Sequence, residues 1–342
     1  MMNSRELVQA VIQGETEGRT PVLPPFSAHA ACKAMGITIV DSLAHPKYAA
    51  HAQLKISKKC GFDGMDIMSD FLYPAEACGS RVRAPNYGLI RVVSPAISEL
   101  SDFDSLSIPD PKRDHRFTSL LEMAGEVRKQ AGQEYFQYTQ ICGPFTLLGE
   151  LRGLEKLFFD LIIEPQTVEK MMRYSVEVIK RYIVELETTQ PDAMAVSDPT
   201  SSANFLGDEY FARFSLPYIE ECASFIKKEG QTVLWHICGD SYKNLRRLTT
   251  SSIHLISADA PVSLPKLADE LPGKVIIGNL APEGALTGGP PFEVIQQSVK
   301  VLTEMRGKRH ILGAGCGLSP DFNVECAKMM RYACDQFELI KE

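Results

Sequence analysis

The sequence predicts an α/β fold of the TIM (β/α)8-barrel type, in a single domain that spans residues 1–342. Short apolar runs alternate with long amphipathic stretches along the whole chain, which is typical of βα units around a parallel sheet. Eight such runs can be counted, and eight is the strand number of this barrel. The length suits one barrel, and no linker long enough to divide the chain is present.

Each predicted strand is a short apolar run that a helical pattern follows, often with a polar cap or a flanking Gly or Pro. The predicted strands cover residues 20–25, 64–68, 135–141, 193–197, 232–237, 253–257, 274–278 and 310–315. The helical patterns cover residues 48–59, 117–131, 167–188, 208–229, 242–248, 264–271, 292–306 and 323–340.

One segment departs from this alternation. Residues 81–83 and 89–93 are alternating runs, and they flank the turn-forming group Pro85-Asn86-Tyr87-Gly88. The pattern predicts a β-hairpin inserted after the second strand.

Composition and charge exclude several classes of function. The chain has 36 basic and 43 acidic residues, a formal net charge of -7, and no run rich in Lys or Arg. It therefore lacks the electrostatic signature of a nucleic-acid-binding protein, and a small molecule or a protein partner is expected instead.

The sequence also predicts a cytoplasmic protein that does not enter a membrane. No apolar stretch approaches the ~20 residues that span a bilayer, and the N-terminus turns polar and acidic where a signal peptide would be apolar. The nine cysteines are an odd number and are scattered along the chain, which indicates reduced thiols in a reducing compartment. Such thiols remain able to bind metal.

His236, Cys238 and Cys316 form the most informative pattern. His236 and Cys238 stand at the end of the fifth predicted strand, where residues i and i+2 point to the same face. Cys316 closes the eighth strand, and active sites of TIM barrels lie at the carboxyl ends of the strands. One imidazole and two thiolates are a ligand set of catalytic zinc, which keeps its fourth position open. We therefore predict a zinc site at this end of the barrel.

Other residues at the strand ends are weaker candidates. Asp70 and Asp198 are predicted to orient a substrate or accept a proton, although a carboxylate after a strand is about as often a loop or helix cap. Asp259 is the best candidate for a fourth, oxygen ligand to the metal, with capping of the next helix as the alternative. Gly143 and Asn279 are candidate cofactor-binding positions that could equally make tight turns.

The remaining histidine and cysteine candidates receive structural interpretations. His29 follows the first predicted strand and is expected at the surface. Four further cysteines are expected in the core: Cys142, Cys222, Cys326 and Cys334.

Four motifs together resemble the uroporphyrinogen decarboxylase superfamily and, within it, the methylcobamide:coenzyme M methyltransferase branch. They lie at residues 143–153, 236–240, 278–282 and 315–317, and the resemblance covers nearly the whole chain in order. The His-x-Cys pair with a distant Cys is the most diagnostic of them.

The resemblance implies a reaction as well as a fold. It implies that His236, Cys238 and Cys316 bind Zn²⁺, which activates a thiol such as coenzyme M. It also implies that the methyl group comes from methylcobalamin or another methylcorrinoid held by a separate corrinoid protein. The expected reaction is methyl transfer from methyl-Co(III) to the thiol, with release of Co(I).

Two other enzyme functions stay open. The decarboxylase branch works without a metal and grips its substrate with arginines of the N-terminal segment, but here the first fifty residues contain only Arg5 and Arg19. The context of Asp70 does resemble that of the decarboxylase's catalytic aspartate. A methyl transfer from a methylated donor to the corrinoid, or to an acceptor other than coenzyme M such as a folate, is equally compatible with zinc. A structural zinc is disfavoured because only three ligands converge.

Overall fold

The computed structural model describes residues 2–15, 17–24, 28–67, 70–250 and 252–339. Its main sheet has seven strands in the order β1-β4-β5-β6-β7-β8-β9, and every neighbouring pair is parallel. β2 and β3 form a separate antiparallel pair. The strands are β1 (Gly64–Asp66), β2 (Arg81–Arg83), β3 (Arg91–Ser94), β4 (Phe136–Cys142), β5 (Ala193–Ser197), β6 (Thr232–Ile237), β7 (Leu255–Ala258), β8 (Val275–Leu280) and β9 (His310–Ala314).

Helices occupy the connections between the parallel strands. They are α1 (Ser4–Gln13), α2 (Ala28–Ala34), α3 (Ile39–Ala44), α4 (Pro46–Cys60), α5 (Tyr73–Ala77), α6 (His115–Ala131), α7 (Pro144–Arg152), α8 (Leu154–Ile163), α9 (Pro165–Glu187), α10 (Asp208–Phe214), α11 (Leu216–Lys228), α12 (Tyr242–Leu245), α13 (Leu264–Glu270), α14 (Pro291–Glu304) and α15 (Val324–Leu339). No helix in the described ranges is both long enough and apolar enough to cross a membrane.

The prediction of eight regular strands was wrong for the first one. Within the predicted range 20–25, Val22 makes only an isolated parallel bridge with Leu312 of β9, and residue 25 lies outside the described residues. Pro21 and Pro24 have no N–H to donate, so a continuous ladder cannot form. The segment nevertheless contacts both edges of the sheet, because Leu23 N donates to Leu312 O at 2.9 Å and Asp63 N donates to Val22 O at 2.9 Å.

The other boundary differences are local. β1 ends at Asp66, and residue 68 of the predicted strand lies outside the described residues. The single helix predicted for residues 208–229 is divided into α10 and α11 at Ser215. Pro217 explains the break, since a proline ring inside a helix removes one hydrogen bond and collides with the preceding turn.

The inner face of the curled sheet carries an apolar layer below a polar one. The apolar layer takes alternate residues of the strands and is packed against Val8 and Val11 of α1: Leu23, Phe136, Tyr138, Ala193, Ala195, Leu234, Leu255, Val275, Ile277 and Ile311. Because side chains two apart share a face, the next inward positions are Ser197, His236 and Ser257, which are paired partners in the strand register. The sheet therefore directs its polar inner layer toward the carboxyl ends of the strands.

We predict that Asp63→Ala will destabilise the protein strongly. The buried Asp63 carboxylate accepts hydrogen bonds from Val22 N at 2.8 Å, Ser4 Oγ at 2.8 Å and both terminal nitrogens of Arg19 at 2.6 and 2.8 Å. Removal leaves these donors without their acceptor, so a loss of about 3–5 kcal/mol in the free energy of unfolding is expected.

The matched control is Asp335→Ala. Asp335 is a half-exposed partner of the same arginine, with Arg19 Nε at 3.3 Å, so its loss should cost less than about 1 kcal/mol. Urea unfolding of the three proteins measures both values, and equal losses in the two variants would contradict the prediction.

Candidate metal centre and cavity

His236, Cys238 and Cys316 converge at the carboxyl end of the sheet. His236 Nε2 lies 3.0 Å from Cys238 Sγ and 3.7 Å from Cys316 Sγ, and the two sulfurs are 3.3 Å apart. A tetrahedral zinc with bonds of ~2.0 Å to nitrogen and ~2.3 Å to sulfur would separate such atoms by ~3.6 and ~3.8 Å. To fit the ion, the His236–Cys238 and sulfur–sulfur distances would have to lengthen by about half an ångström, whereas the His236–Cys316 distance already fits. They are the one group of metal-capable side chains found within the described ranges.

A serine on the neighbouring strand orients the histidine. Ser257 of β7 is the register partner of His236, and its Oγ lies 3.0 Å from His236 Nδ1. This contact directs the other ring nitrogen, Nε2, toward the two sulfurs. A partner on the distal nitrogen is the usual support for a histidine that binds a metal.

The turn at Asp259 holds the two cysteine-bearing loops together. Asp259 Oδ2 accepts a hydrogen bond from Gly239 N at 2.7 Å, directly after Cys238. Gly315, directly before Cys316, packs against the same turn so closely that a Cβ there would lie 2.4 Å from Ala260 N. Gly239 has φ +71°, a left-handed conformation that favours glycine. These contacts position both thiols.

Asp259 therefore does not belong to the cluster formed by His236, Cys238 and Cys316. Its second oxygen, Oδ1, accepts from Ala260 N at 2.7 Å. The alternative role as a helix cap was wrong, because α13 begins at Leu264 with Ser263 as its cap residue. Metal ligation by Asp259 stays a prediction, and it would require the carboxylate to leave Gly239 N.

The two neighbouring thiols shift each other's pKa in opposite directions. The pKa of Cys316 is lowered, because Cys238 donates a hydrogen bond to it and His236 lies beside it. The same hydrogen bond, together with burial, raises the pKa of Cys238. A cation between the sulfurs would favour loss of the second proton, since cysteine binds metals as thiolate.

Asn279 and Gly143, the two candidate cofactor positions, have structural contacts instead. Asn279 Nδ2 donates to Asp259 O at 3.0 Å and to Val262 O at 2.7 Å, so it braces the turn beneath the cysteines. Gly143 precedes α7, and a Cβ there would lie 2.3 Å from Asp198 Cγ. Neither residue lines the cavity described below.

Asp198 also lies outside the cavity lining. It is fully buried and accepts hydrogen bonds from Thr146 N and from Ser201 Oγ, both at 2.8 Å. Burial raises its pKa, and these hydrogen bonds oppose the rise. Asp198 therefore caps the start of α7, the role that the sequence left as its alternative.

A cavity of about 710 Å³ opens beside the three ligands. Asp70 lines it and pairs with the buried Arg116 of α6, whose Nε lies 3.1 Å from Asp70 Oδ2 and whose Nη1 lies 2.8 Å from Glu76. Arg116 and Glu76 also line a hollow of about 830 Å³ on the outer surface, and no thiol lines that hollow among the described residues. The smaller cavity is therefore the candidate site. Sequence reasoning missed Arg116, because it lies mid-chain on a helix with no local signal.

Two residues that do line the cavity were not recognised as such from the sequence. His29 is buried on α2 rather than exposed, and burial lowers its pKa to about 4, so the ring is neutral at pH 7. Glu150 of α7 also lines the cavity, and burial raises its pKa. No hydrogen bond to the Glu150 carboxylate comes from the described residues.

The sequence matches the uroporphyrinogen decarboxylase (URO-D) family over residues 3–337. The chain belongs to this family. It is 26% identical over 280 residues to the methylcobamide:CoM methyltransferase MtbA of Methanosarcina acetivorans, covering 80% of this chain and 81% of that protein. It is 24% identical over 279 residues to the uroporphyrinogen decarboxylase of Prochlorococcus marinus, covering 78% and 76%.

Two solved structures share the overall α/β fold of this chain. A methyltransferase from Methanosarcina mazei superposes with a TM-score of 0.90 at 19% identity, covering 98% of this chain and 99% of that one. A B12-independent methionine synthase from Shewanella gives a TM-score of 0.60 at 14% identity, covering 87% and 88%. At these identities the two structures show the fold alone, and it is the family model over residues 3–337, with the methyltransferase relatives, that confirms the family resemblance drawn from the motifs.

We predict that Glu150→Gln will stabilise the protein at neutral pH but not in acid. When folding raises the pKa of a carboxyl group, ionisation of that group destabilises the folded protein. The free energy of unfolding therefore falls as the pH rises from the unfolded pKa of ~4.3 through the folded pKa. Glutamine removes this dependence. The rise in melting temperature should therefore be larger at pH 7.5 than at pH 4, with the exposed Glu122→Gln as control. An equal shift at both pH values would contradict it.

Proposed function

We propose that this chain is a zinc-dependent methyltransferase that moves a methyl group from a protein-bound methyl-Co(III) corrinoid to a thiol such as coenzyme M. The observation that carries the proposal is the convergence of one imidazole and two thiols on one point beside an open cavity. The relatives named methylcobamide:CoM methyltransferase support the same reaction class.

The donor set suits a catalytic rather than a structural ion. His236, Cys238 and Cys316 supply three ligands, and zinc held by them would bind the acceptor sulfur as thiolate in the fourth position. Two cysteine thiolates already balance the charge of the ion. An incoming thiolate therefore keeps the electron density that a nucleophile needs.

The chain's own residues hold the three metal-binding side chains in place. Ser257 fixes the His236 ring, and the Asp259 turn fixes both cysteines. The acceptor thiol loses its proton to solvent on binding. Its sulfur then forms a bond to the methyl carbon while the carbon–cobalt bond breaks, and that electron pair stays on cobalt as Co(I).

We further infer that the architecture is a single (β/α)8 barrel with the β2–β3 pair inserted after its second strand. The support is that the Pro21–Leu23 segment hydrogen-bonds toward both edges of the seven-stranded sheet. The family match also extends from one end of the chain almost to the other.

Decarboxylation of a porphyrinogen without metal is the second candidate. Decarboxylases are among the relatives, and Asp70 does line the cavity. Two observations weigh against it. Asp70 is paired with Arg116, and Arg91 is the sole arginine lining the cavity within the described residues, which suits a substrate with many carboxylates poorly.

We predict that Cys238→Ser and Cys316→Ser will lose the zinc that the wild-type protein binds in a 1:1 ratio. Ser257→Ala should keep zinc but bind it at least ~10-fold more weakly, because the histidine loses its orienting partner. Ser252→Ala is the matched control on the same segment, away from His236. Elemental analysis and chelator competition measure both effects.

The outcome that would remove the zinc site is full zinc retention by both cysteine variants. Circular dichroism should show all four variants folded, since the large core does not depend on the ion. A global loss of structure would leave the chelator titration of Ser257→Ala as the deciding measurement.

We predict that free methylcobalamin is demethylated only when a thiol is present, and that Cys316→Ser abolishes the reaction. Thiol binding near pH 7 should release about one proton, because the thiol has a pKa near ~8.5 in solution and binds as thiolate. Loss of the methyl-cobalt absorbance measures turnover, and calorimetry in buffers of different ionisation enthalpy measures the proton. Uroporphyrinogen decarboxylation by chelator-treated protein would favour the second candidate, and methyl transfer to a folate would change the acceptor.

A further inference from the structure

The two-stranded ribbon formed by β2 and β3 makes one wall of the cavity. Residues 88–92, which run from its tip into β3, line the cavity together with Leu318 and Pro320. The tip reaches the loop that follows Cys316, since a Cβ on Gly88 would lie 3.8 Å from Pro320 Cγ. The ribbon therefore borders the cavity that a methyl donor would enter.

Three arginines share one face of this ribbon, and one of them, Arg91, also lines the cavity. Arg83 and Arg91 are direct cross-strand partners, and Arg81 lies two residues from Arg83 on the same strand, so alternation puts it on their side although the pairing register shifts between Arg81 and Val82. All three are exposed, whereas Val82 and Val92 on the other face are partly buried. Among the residues that the structure describes, no carboxylate forms an ion pair with any of the three.

This arrangement is unfavourable for the isolated protein. Like charges directly opposite each other on paired strands destabilise the pair. The ribbon is also locally basic in a chain whose net charge is -7. An anionic surface placed over Arg81, Arg83 and Arg91 would relieve their repulsion.

The same ribbon exposes large apolar side chains between its charges. Tyr87 is 39% exposed, Leu89 is 47% exposed and Val93 is 51% exposed. Tyrosine and arginine beside apolar side chains are typical of the centres of protein–protein interfaces. Such a surface fits a protein better than it fits a small anion.

We propose that the ribbon of residues 81–93 is the docking surface for an acidic face of the protein that carries the methylcorrinoid. The inference rests on the proposed function, which needs such a partner at the cavity mouth. Arg81 and Arg83 do not line the cavity, and a thiol bound at Cys316 is too small to engage three guanidinium groups spread along the ribbon. A protein surface with several carboxylates can contact all of them while the corrinoid faces the cavity.

The test compares Arg81→Gln/Arg83→Gln with the wild-type protein. The probe is a recombinant corrinoid protein from the same organism, loaded with methylcobalamin, and its binding is measured by calorimetry over a series of salt concentrations. The double variant should bind roughly 10-fold more weakly at low salt and lose most of its salt dependence. Arg81→Lys/Arg83→Lys should retain much of both, and Arg113→Gln, an exposed arginine on the outer surface, should change neither.

Turnover separates docking from chemistry. The rate with free methylcobalamin should be unchanged in the double glutamine variant, while the rate with the protein-bound donor falls. Wild-type affinity in the double variant would overturn the proposal. The proposal would also be overturned if Arg91 served only the thiol substrate. In that case Arg91→Gln would raise the KM for 2-mercaptoethanesulfonate but not for 2-mercaptoethanol, and it would leave binding of the corrinoid protein unchanged.

Failure of the proposed function has a different signature. Salt-dependent binding of the corrinoid protein without methyl transfer from any donor would leave the docking surface standing and remove the function. Methyl transfer from free methylcobalamin without binding of the corrinoid protein would do the reverse.

Discussion

The hydrogen bond from Gly239 N to Asp259, together with the close contact of Gly315 with the same turn, is the constraint on which the site depends. Cys238 and Cys316 are 78 residues apart in sequence, yet their sulfurs lie 3.3 Å apart. Nothing in either loop alone brings this about. One turn contacts the loop that follows the sixth strand and the loop that follows the ninth, and glycine at both contacts lets the backbones approach.

Three carboxylates near the strand ends stabilise the protein backbone and do not line the cavity. Asp198 caps α7, Asp63 anchors the first segment to the sheet, and Asp259 braces the cysteine loops. Each accepts at least one backbone N–H that would otherwise be buried without a partner, which is costly. Asp70 differs, because it lines the cavity and is paired with Arg116.

Relatives with two different names match this one chain at similar identity, which fits a fold that hosts different chemistry at the same end of its sheet. The chemistry of the present chain depends on the residues around its cavity. Among the described residues, its wall carries two thiols, an oriented imidazole and one arginine, Arg91, which belongs to the basic ribbon; Arg81 and Arg83 of that ribbon lie outside the lining. This distribution of charge favours a nucleophilic sulfur inside and an acidic partner at the mouth.

The sequence by itself determined the alternation of strands and helices and the position of Cys316 at a strand end. It also determined that His236 and Cys238, two residues apart, point to the same face of their strand. These follow from local periodicity, which a single chain displays. Tertiary structure alone decided that Asp198 caps a helix, that His29 is buried, and that Arg116 reaches Asp70. The role of a polar side chain is set by the donors and charges packed around it, and these come from distant segments whose approach no local pattern records.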